Sequence, residues 1–151
     1  MDLLTPGFLT ALLAAAIVAG VPLLFAGLGE TIAESAGILN VGLEGMMLAG
    51  AFAAFAVALQ THEPALGLVA GALAGVAVAL VMVLFCVHLA VDQVVVGIAI
   101  VLTAEGATSV LHDAWYAGTH PRLPAVPDVA IPVLSDLPVV GGSLFSQPLV
   151  V

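Results

Sequence analysis

Glu44 and Glu105 are the residues that most need a chemical explanation, because each falls inside a long apolar run. A carboxylate at the centre of a membrane-embedded helix costs roughly 2.5 to 3.5 kcal/mol on insertion scales, and less near an end. Intramembrane acids are therefore functional by default: as proton sites, as ion ligands or as acceptors for a passing solute. Glu44 enters its run early, behind Asn40 and between Gly42 and Gly45, so it is expected near one membrane face. Glu105 lies among Thr103, Thr108 and Ser109. It either does such chemistry, reaches interfacial water, or is satisfied by the neighbouring hydroxyls. No nucleophile–base pair or phosphate-binding loop is visible, so enzymatic function is the weakest reading. His112, Asp113 and His120 do not form a recognised ligand spacing, and no metal or cofactor is expected. The single cysteine, Cys86, reads as a small buried hydrophobe.

The elements that must position these acids are membrane-spanning helices. The chain is 63% hydrophobic and 7% charged, whereas ordinary soluble domains carry about 25% charged residues. An apolar run of about 20 residues spans the roughly 30 Å hydrocarbon core as a helix. Four such runs are predicted, over 8–28, 39–59, 66–87 and 94–111. The fold class is accordingly all-α: a polytopic transmembrane bundle. Pro22 removes one backbone hydrogen bond from the first span and predicts a kink. In the second, Gly42 and Gly45 begin a stripe of small residues suited to close helix approach. In the third, Gly67, Gly71 and Gly75 recur every fourth residue as overlapping GxxxG units.

The connections carry the remaining charge. Glu30 and Glu34 are one helical turn apart, a spacing at which like charges oppose a helix. Either 29–38 is not a regular helix, or the pair faces something positive; a solvated acidic loop is the simpler expectation. Gly37, Gly42 and Gly45 crowd the start of the second span, where an interrupted or re-entrant backbone is expected to be buried in protein or to line a cavity. Six of the nine prolines fall after position 120, so 112–148 reads as an ordered loop or hairpin outside the bilayer. Trp115 and Tyr116 before it suit an interfacial belt. The net charge of −9 leaves Arg122 as the only Lys or Arg, which disfavours nucleic-acid binding and gives the charge rule for orientation little to count. Asp2 is the only charge ahead of the first run, so a cleavable leader is not expected. The apolar residues at 143–151 read as the start of a further span, and 1–151 as the N-terminal part of a longer transmembrane domain.

Three blocks in this order support a family. SAGILNVGLEGMMLAGAF (35–52), DQVVVGIAI (92–100) and IPVLSDLPVVGGSLFSQPLVV (131–151) resemble the permease subunit of an ATP-binding-cassette importer. The nearest group is the nucleoside and simple-sugar permeases, relatives of the branched-chain amino acid permeases. The resemblance implies a multi-pass protein of the plasma (inner) membrane that is not itself an enzyme. It also implies a second permease subunit, a cytoplasmic ATP-binding subunit and an extracytoplasmic solute-binding protein as partners, within a lipid bilayer. Members are about twice this length, with the segment that docks on the ATPase beyond Val151. Span parity then puts the N-terminus outside, 29–38 inside, 60–65 outside, 88–93 inside and the Pro-rich loop outside. Under this reading Asn40 and Glu44 share one helix face toward the path, Gln93 sits at the cytoplasmic mouth, and Glu105 is a further path residue. The family pattern usually has Asn-Gln where this chain has Asp92-Gln93, and an apolar residue near Glu105. A proton- or ion-coupled secondary carrier using Glu44 and Glu105 is the rival, followed by a non-transporting membrane scaffold.

Overall fold

The structure, a computed structural model, describes residues 5–119, 121–123, 128–130 and 146–148. The chain divides into two compact units, Met1–Leu28 with Ala125–Val151, and Gly29–Pro124. Among the described residues four helices are long and apolar enough to cross a membrane, as expected of an all-α polytopic chain. They are α1 (Pro6–Ser35), α2 (Leu43–Thr61), α3 (Pro64–Val83) and α4 (Gln93–Tyr116).

In the first unit, α1 begins where the Thr5 hydroxyl accepts a hydrogen bond from the Phe8 N–H at 3.4 Å. Pro6 follows at the first helical position, where a missing N–H costs nothing. The helix runs through Pro22 without ending. Leu23, Leu24 and Phe25 are all exposed, an outer surface suited to acyl chains. The same unit holds two short antiparallel strands, β1 (Asp128–Ala130) and β2 (Ser146–Pro148), with Val129 opposite Gln147. The rest of the loop expected after position 123, His120 with it, lies outside the described residues.

The second unit is organised by glycines. α2 and α3 form an antiparallel hairpin that turns at His62, whose φ of 58° closes α2, and restarts at Pro64. Along it a Cβ placed on Gly71 would come within 2.9 Å of the Gly50 carbonyl oxygen, and one on Gly67 within 2.7 Å of that of Ala54. α4 runs parallel to α2. A Cβ on Gly45 would meet the Ile100 oxygen and the Val101 Cα at 3.0 Å, and one on Gly97 would reach the Gly42 nitrogen at 2.8 Å. Further along, the Phe55 ring meets Tyr116 edge-on at 5.5 Å. Backbone contact at this range is what small residues permit between helices that lack a hydrophobic driving force for association. Gly75, third of its series, faces no atom within 4 Å, so its expected packing is not made among the described residues. Met46, Met82, Val96 and Ile100 fill the seam between α2, α3 and α4, and Met82 is only 3% exposed.

Several boundaries differ from expectation, the delayed start of α2 at Leu43 among them. Residues 29–35 continue α1 rather than forming an acidic loop, because Glu30 has a backbone N–H to bond. α3 ends in a π-helical turn, Leu84–His88, that carries Cys86 half-buried against the core. α4 outruns its predicted end at 111 and reaches Tyr116, so 112–116 is helix; Gly118, with φ 79°, follows just beyond.

Alanine at Gly97 is expected to destabilise the purified transporter by about 1–3 kcal/mol through overpacking of α2 on α4. Alanine at Gly75 should change stability by less than about 0.5 kcal/mol. Thermal unfolding in detergent compares the two directly.

Candidate functional site

Between α1 and α2 the chain is not helical over 36–42, and the polar groups of that break build the first half of the site. Gly37 ends α1 with φ 83°, its N–H bonding the Glu34 carbonyl at 2.9 Å while that of Ile38 reaches back to Ala33 at 3.0 Å. This pair of bonds is the Schellman closure, and it satisfies two carbonyls that a helix end would otherwise leave open. The next two N–H groups have no backbone partner. Leu39 donates to Gln93 Oε1 at 2.6 Å, and Asn40 donates to Glu30 Oε1 at 2.9 Å. The Gln93 Nε2 in turn donates to the Gly37 carbonyl at 3.3 Å. The Gln93 amide therefore uses both its ends on the backbone of the break, and holds it to the first residue of α4.

Asp92 prepares that residue. Its Oδ1 accepts from the N–H groups of Val94 (2.9 Å) and Val95 (3.1 Å) as the N-cap of α4. Asn and Asp rank equally as N-caps, so the departure from the family's Asn-Gln keeps the cap while adding charge.

Asn40 and Glu44 do not share a helix face. Asn40 precedes α2, half-buried, with its Nδ2 3.5 Å from the Met46 sulfur. α2 starts only after Gly42, and the face formed by Gly42, Gly45 and Met46 is turned into the core. Glu44, lying between those positions, is left exposed on the first turn, where the partial positive charge of a helix start favours a carboxylate. Two acceptors at the break, Glu30 Oε2 and Asn40 Oδ1, are buried without a hydrogen-bond partner among the described residues. Each such group costs on the order of 1–3 kcal/mol.

The second half of the site lies along α2 and α4. Glu105, Thr108, Ser109 and His112 recur at helical spacing on one stripe of α4 and line a groove of about 380 Å³. Its other wall is Leu48, Phe52 and Phe55 of α2. Glu44 lies four residues before Leu48, so helical spacing puts it on that same α2 stripe. Phe52 stacks on Trp115 at 5.9 Å, and Tyr116 contacts both Phe55 and His112. Trp115 and Tyr116 thus close the end of the groove as well as suiting a belt. A neighbouring cavity of about 500 Å³ shares Phe55 and His112 and is bounded by Asp113, Thr119 and Arg122. His112 Nδ1 lies 3.7 Å from Asp113 Oδ1.

The four polar residues singled out from the sequence thus fall in separate places. Asn40 and Gln93 belong to the broken-helix clasp; Glu105 lines the groove, and Glu44 lies one helical turn before its α2 wall without lining it. Glu30, Gly97, Phe52 and Phe55 were missed. The polar stripe of α4 was visible as an i, i+3, i+4, i+7 series, and Gly97 as a lone glycine among β-branched neighbours.

Residues 12–133 match the family model described as the permease component of the branched-chain amino acid transport system. The chain belongs to that family of membrane permeases, as the three sequence blocks implied. It is 37% identical over 142 residues to a proposed glucose ABC transporter permease, TsgC13, of Haloferax volcanii, covering 91% of this chain and 42% of that protein. It is 32% identical over 149 residues to the guanosine ABC transporter permease NupQ of Bacillus subtilis, covering 92% and 46%. Identity to the nucleoside ABC transporter permease NupC of Lactococcus lactis subsp. cremoris is 30% over 133 residues, covering 83% and 42%. The chain therefore spans less than half the length of these relatives. No solved structure matches it.

Replacing Gln93 with Ala should speed amide exchange in 36–42 by about tenfold, the value of one lost hydrogen bond of ~1.4 kcal/mol. Gln93→Glu keeps the acceptor for Leu39 and should show a smaller effect. Hydrogen–deuterium exchange of the peptide containing Leu39 reads both.

Proposed function

We propose that this chain forms part of the translocation path of an ATP-binding-cassette importer for a nucleoside or a simple sugar. The observation that carries this reading is the family match over 12–133, together with relatives named for glucose, guanosine and nucleosides. The chain does no covalent chemistry of its own; ATP is hydrolysed on a separate cytoplasmic subunit. A second permease subunit completes the path, and an extracytoplasmic binding protein delivers the solute to the plasma membrane.

Within this reading, 36–42 and the start of α4 lie at the cytoplasmic side, and the ends of α2 and α4 at the outer side. The Gln93 clasp supports the pairing, since it ties the break to the first residue of α4. Contact of Phe55 with Tyr116 supports the other end. Glu44 and Glu105 would offer carboxylate acceptors along the path, which suits solutes rich in hydroxyl and N–H donors. Asn40 and Gln93 would act at the mouth by holding the break in one of its arrangements.

Uptake by the complete transporter tests the reading. ATP depletion is expected to abolish it, and a protonophore at constant ATP to leave it intact; the reverse result would establish the proton-coupled carrier. Glu44→Ala should lower uptake about tenfold or more at normal assembly, the loss of one charged hydrogen bond worth ~1.5–3 kcal/mol. Unchanged uptake removes Glu44 from the path.

A further inference from the structure

We propose that the groove between α2 and α4 is a selectivity site in which Glu105 binds the vicinal hydroxyls of a ring-shaped solute. This rests on the permease reading and names what the site chooses. The groove has two unlike walls. On α4, Glu105, Thr108, Ser109 and His112 form one polar stripe; on α2, Phe52 and Phe55 present apolar rings. Its volume of about 380 Å³ falls within the range of small-molecule pockets.

The hydrogen-bonding balance of the polar wall is lopsided. A carboxylate accepts through both oxygens, and the Glu105 side chain makes no hydrogen bond among the described residues, only its main-chain carbonyl facing Thr108. The Thr108 hydroxyl faces the Ala104 carbonyl at 2.7 Å and the Glu105 carbonyl at 3.2 Å, so its proton is already committed and it too can only accept. Glu105 and Thr108 therefore call for a ligand that donates, while Ser109 and His112 can each donate to an oxygen of the same ligand. Two neighbouring hydroxyls on one ring give the two oxygens of a carboxylate a donor each. An anionic solute is disfavoured: no Lys or Arg lines the groove, and an amino-acid carboxylate or a phosphate would face Glu105 across a low-dielectric space. An acyl chain is disfavoured for the opposite reason, since it would leave the carboxylate without any donor. The Phe52 and Phe55 rings would then cover the apolar face of the ring that carries the hydroxyls.

A ribonucleoside and a hexose share this chemistry, and the experiment separates them. The complete transporter is assayed in proteoliposomes with ATP. Guanosine is compared with 2′-deoxyguanosine, and methyl glucoside with methyl 3-deoxyglucoside, so that the second member of each pair has no vicinal diol. In whichever pair is carried, the diol-bearing solute is expected to be favoured at least about tenfold in uptake efficiency. Glu105→Gln, which offers one acceptor and one donor group, should reduce that preference to about threefold or less. Glu105→Asp keeps two acceptor oxygens and should retain a preference in the same direction, which serves where the Gln variant assembles poorly. An unchanged ratio in Glu105→Gln at normal assembly overturns the proposal and leaves the groove to lipid or packing. So does ATP-driven uptake of a solute without hydroxyls while both pairs are ignored. ATP-independent uptake, by contrast, sinks the importer reading itself.

Discussion

A peptide backbone that leaves the helix inside or beside a bilayer must find hydrogen bonds without water, at a cost of several kcal/mol for each group that fails. Residues 36–42 face that constraint, and much of the second unit is arranged around it. The Schellman turn at Gly37 closes the end of α1 with main-chain atoms alone. The two N–H groups beyond it need side chains, and these come from different helices: Glu30 from α1 and Gln93 from α4. A break between two helices thus becomes a joint among three. Among the described residues the joint is incompletely satisfied, since one oxygen of Glu30 and one of Asn40 are buried and unpaired.

Close glycine packing makes that joint possible. Gln93 can reach Leu39 only if the start of α4 lies against the residues just ahead of α2. The contact of Gly97 with Val41 and Gly42 brings it there. The same approach at Gly45 fixes the rotation of α2, and with it the outward position of Glu44. Small residues therefore do two things here. They draw the helices together and, by deciding which face of α2 is inward, they decide which of its polar residues are left exposed. The hairpin contact of Gly67 and Gly71 with α2 is more ordinary, a backbone-to-backbone fit with no polar consequence.

The existence and number of the spanning helices were legible because hydropathy over about 20 residues is a property of composition, insensitive to where a helix starts. Their ends were not, because ends depend on who satisfies a few terminal groups. Glu30 and Glu34 looked like a pair that would unwind a helix; a few tenths of a kcal/mol of repulsion is smaller than the bond Glu30 makes to the Asn40 N–H. That partner is a backbone group, invisible to a reading of side-chain charge. Asn40 was assigned to the helix of Glu44 by counting four residues, and the count failed because Gly42 delays the start of α2. Gln93 was legible as a polar residue at a mouth, whereas its engagement with a segment more than 50 positions away was not. The groove lay in between: its polar stripe follows from helical spacing on α4, but its aromatic wall follows from the parallel packing of α2, which no local pattern encodes.

Charge completes the picture. A chain with a net charge of −9 and one basic residue surrounds any solute with negative potential. In the groove that potential is local and directional, because Glu105 is exposed and the nearest cation of the chain, Arg122, borders the adjoining cavity. Such a surface repels anions and has little use for a solute that cannot donate hydrogen bonds. Under the proposed reading, a neutral, hydroxylated ring would meet both conditions, bringing donors to the carboxylate and an apolar face to Phe52 and Phe55. The family name refers to amino acids, whose carboxylate would be a liability here. The relatives are named for glucose, guanosine and nucleosides, solutes whose hydroxyl groups would answer Glu105 under the proposed reading.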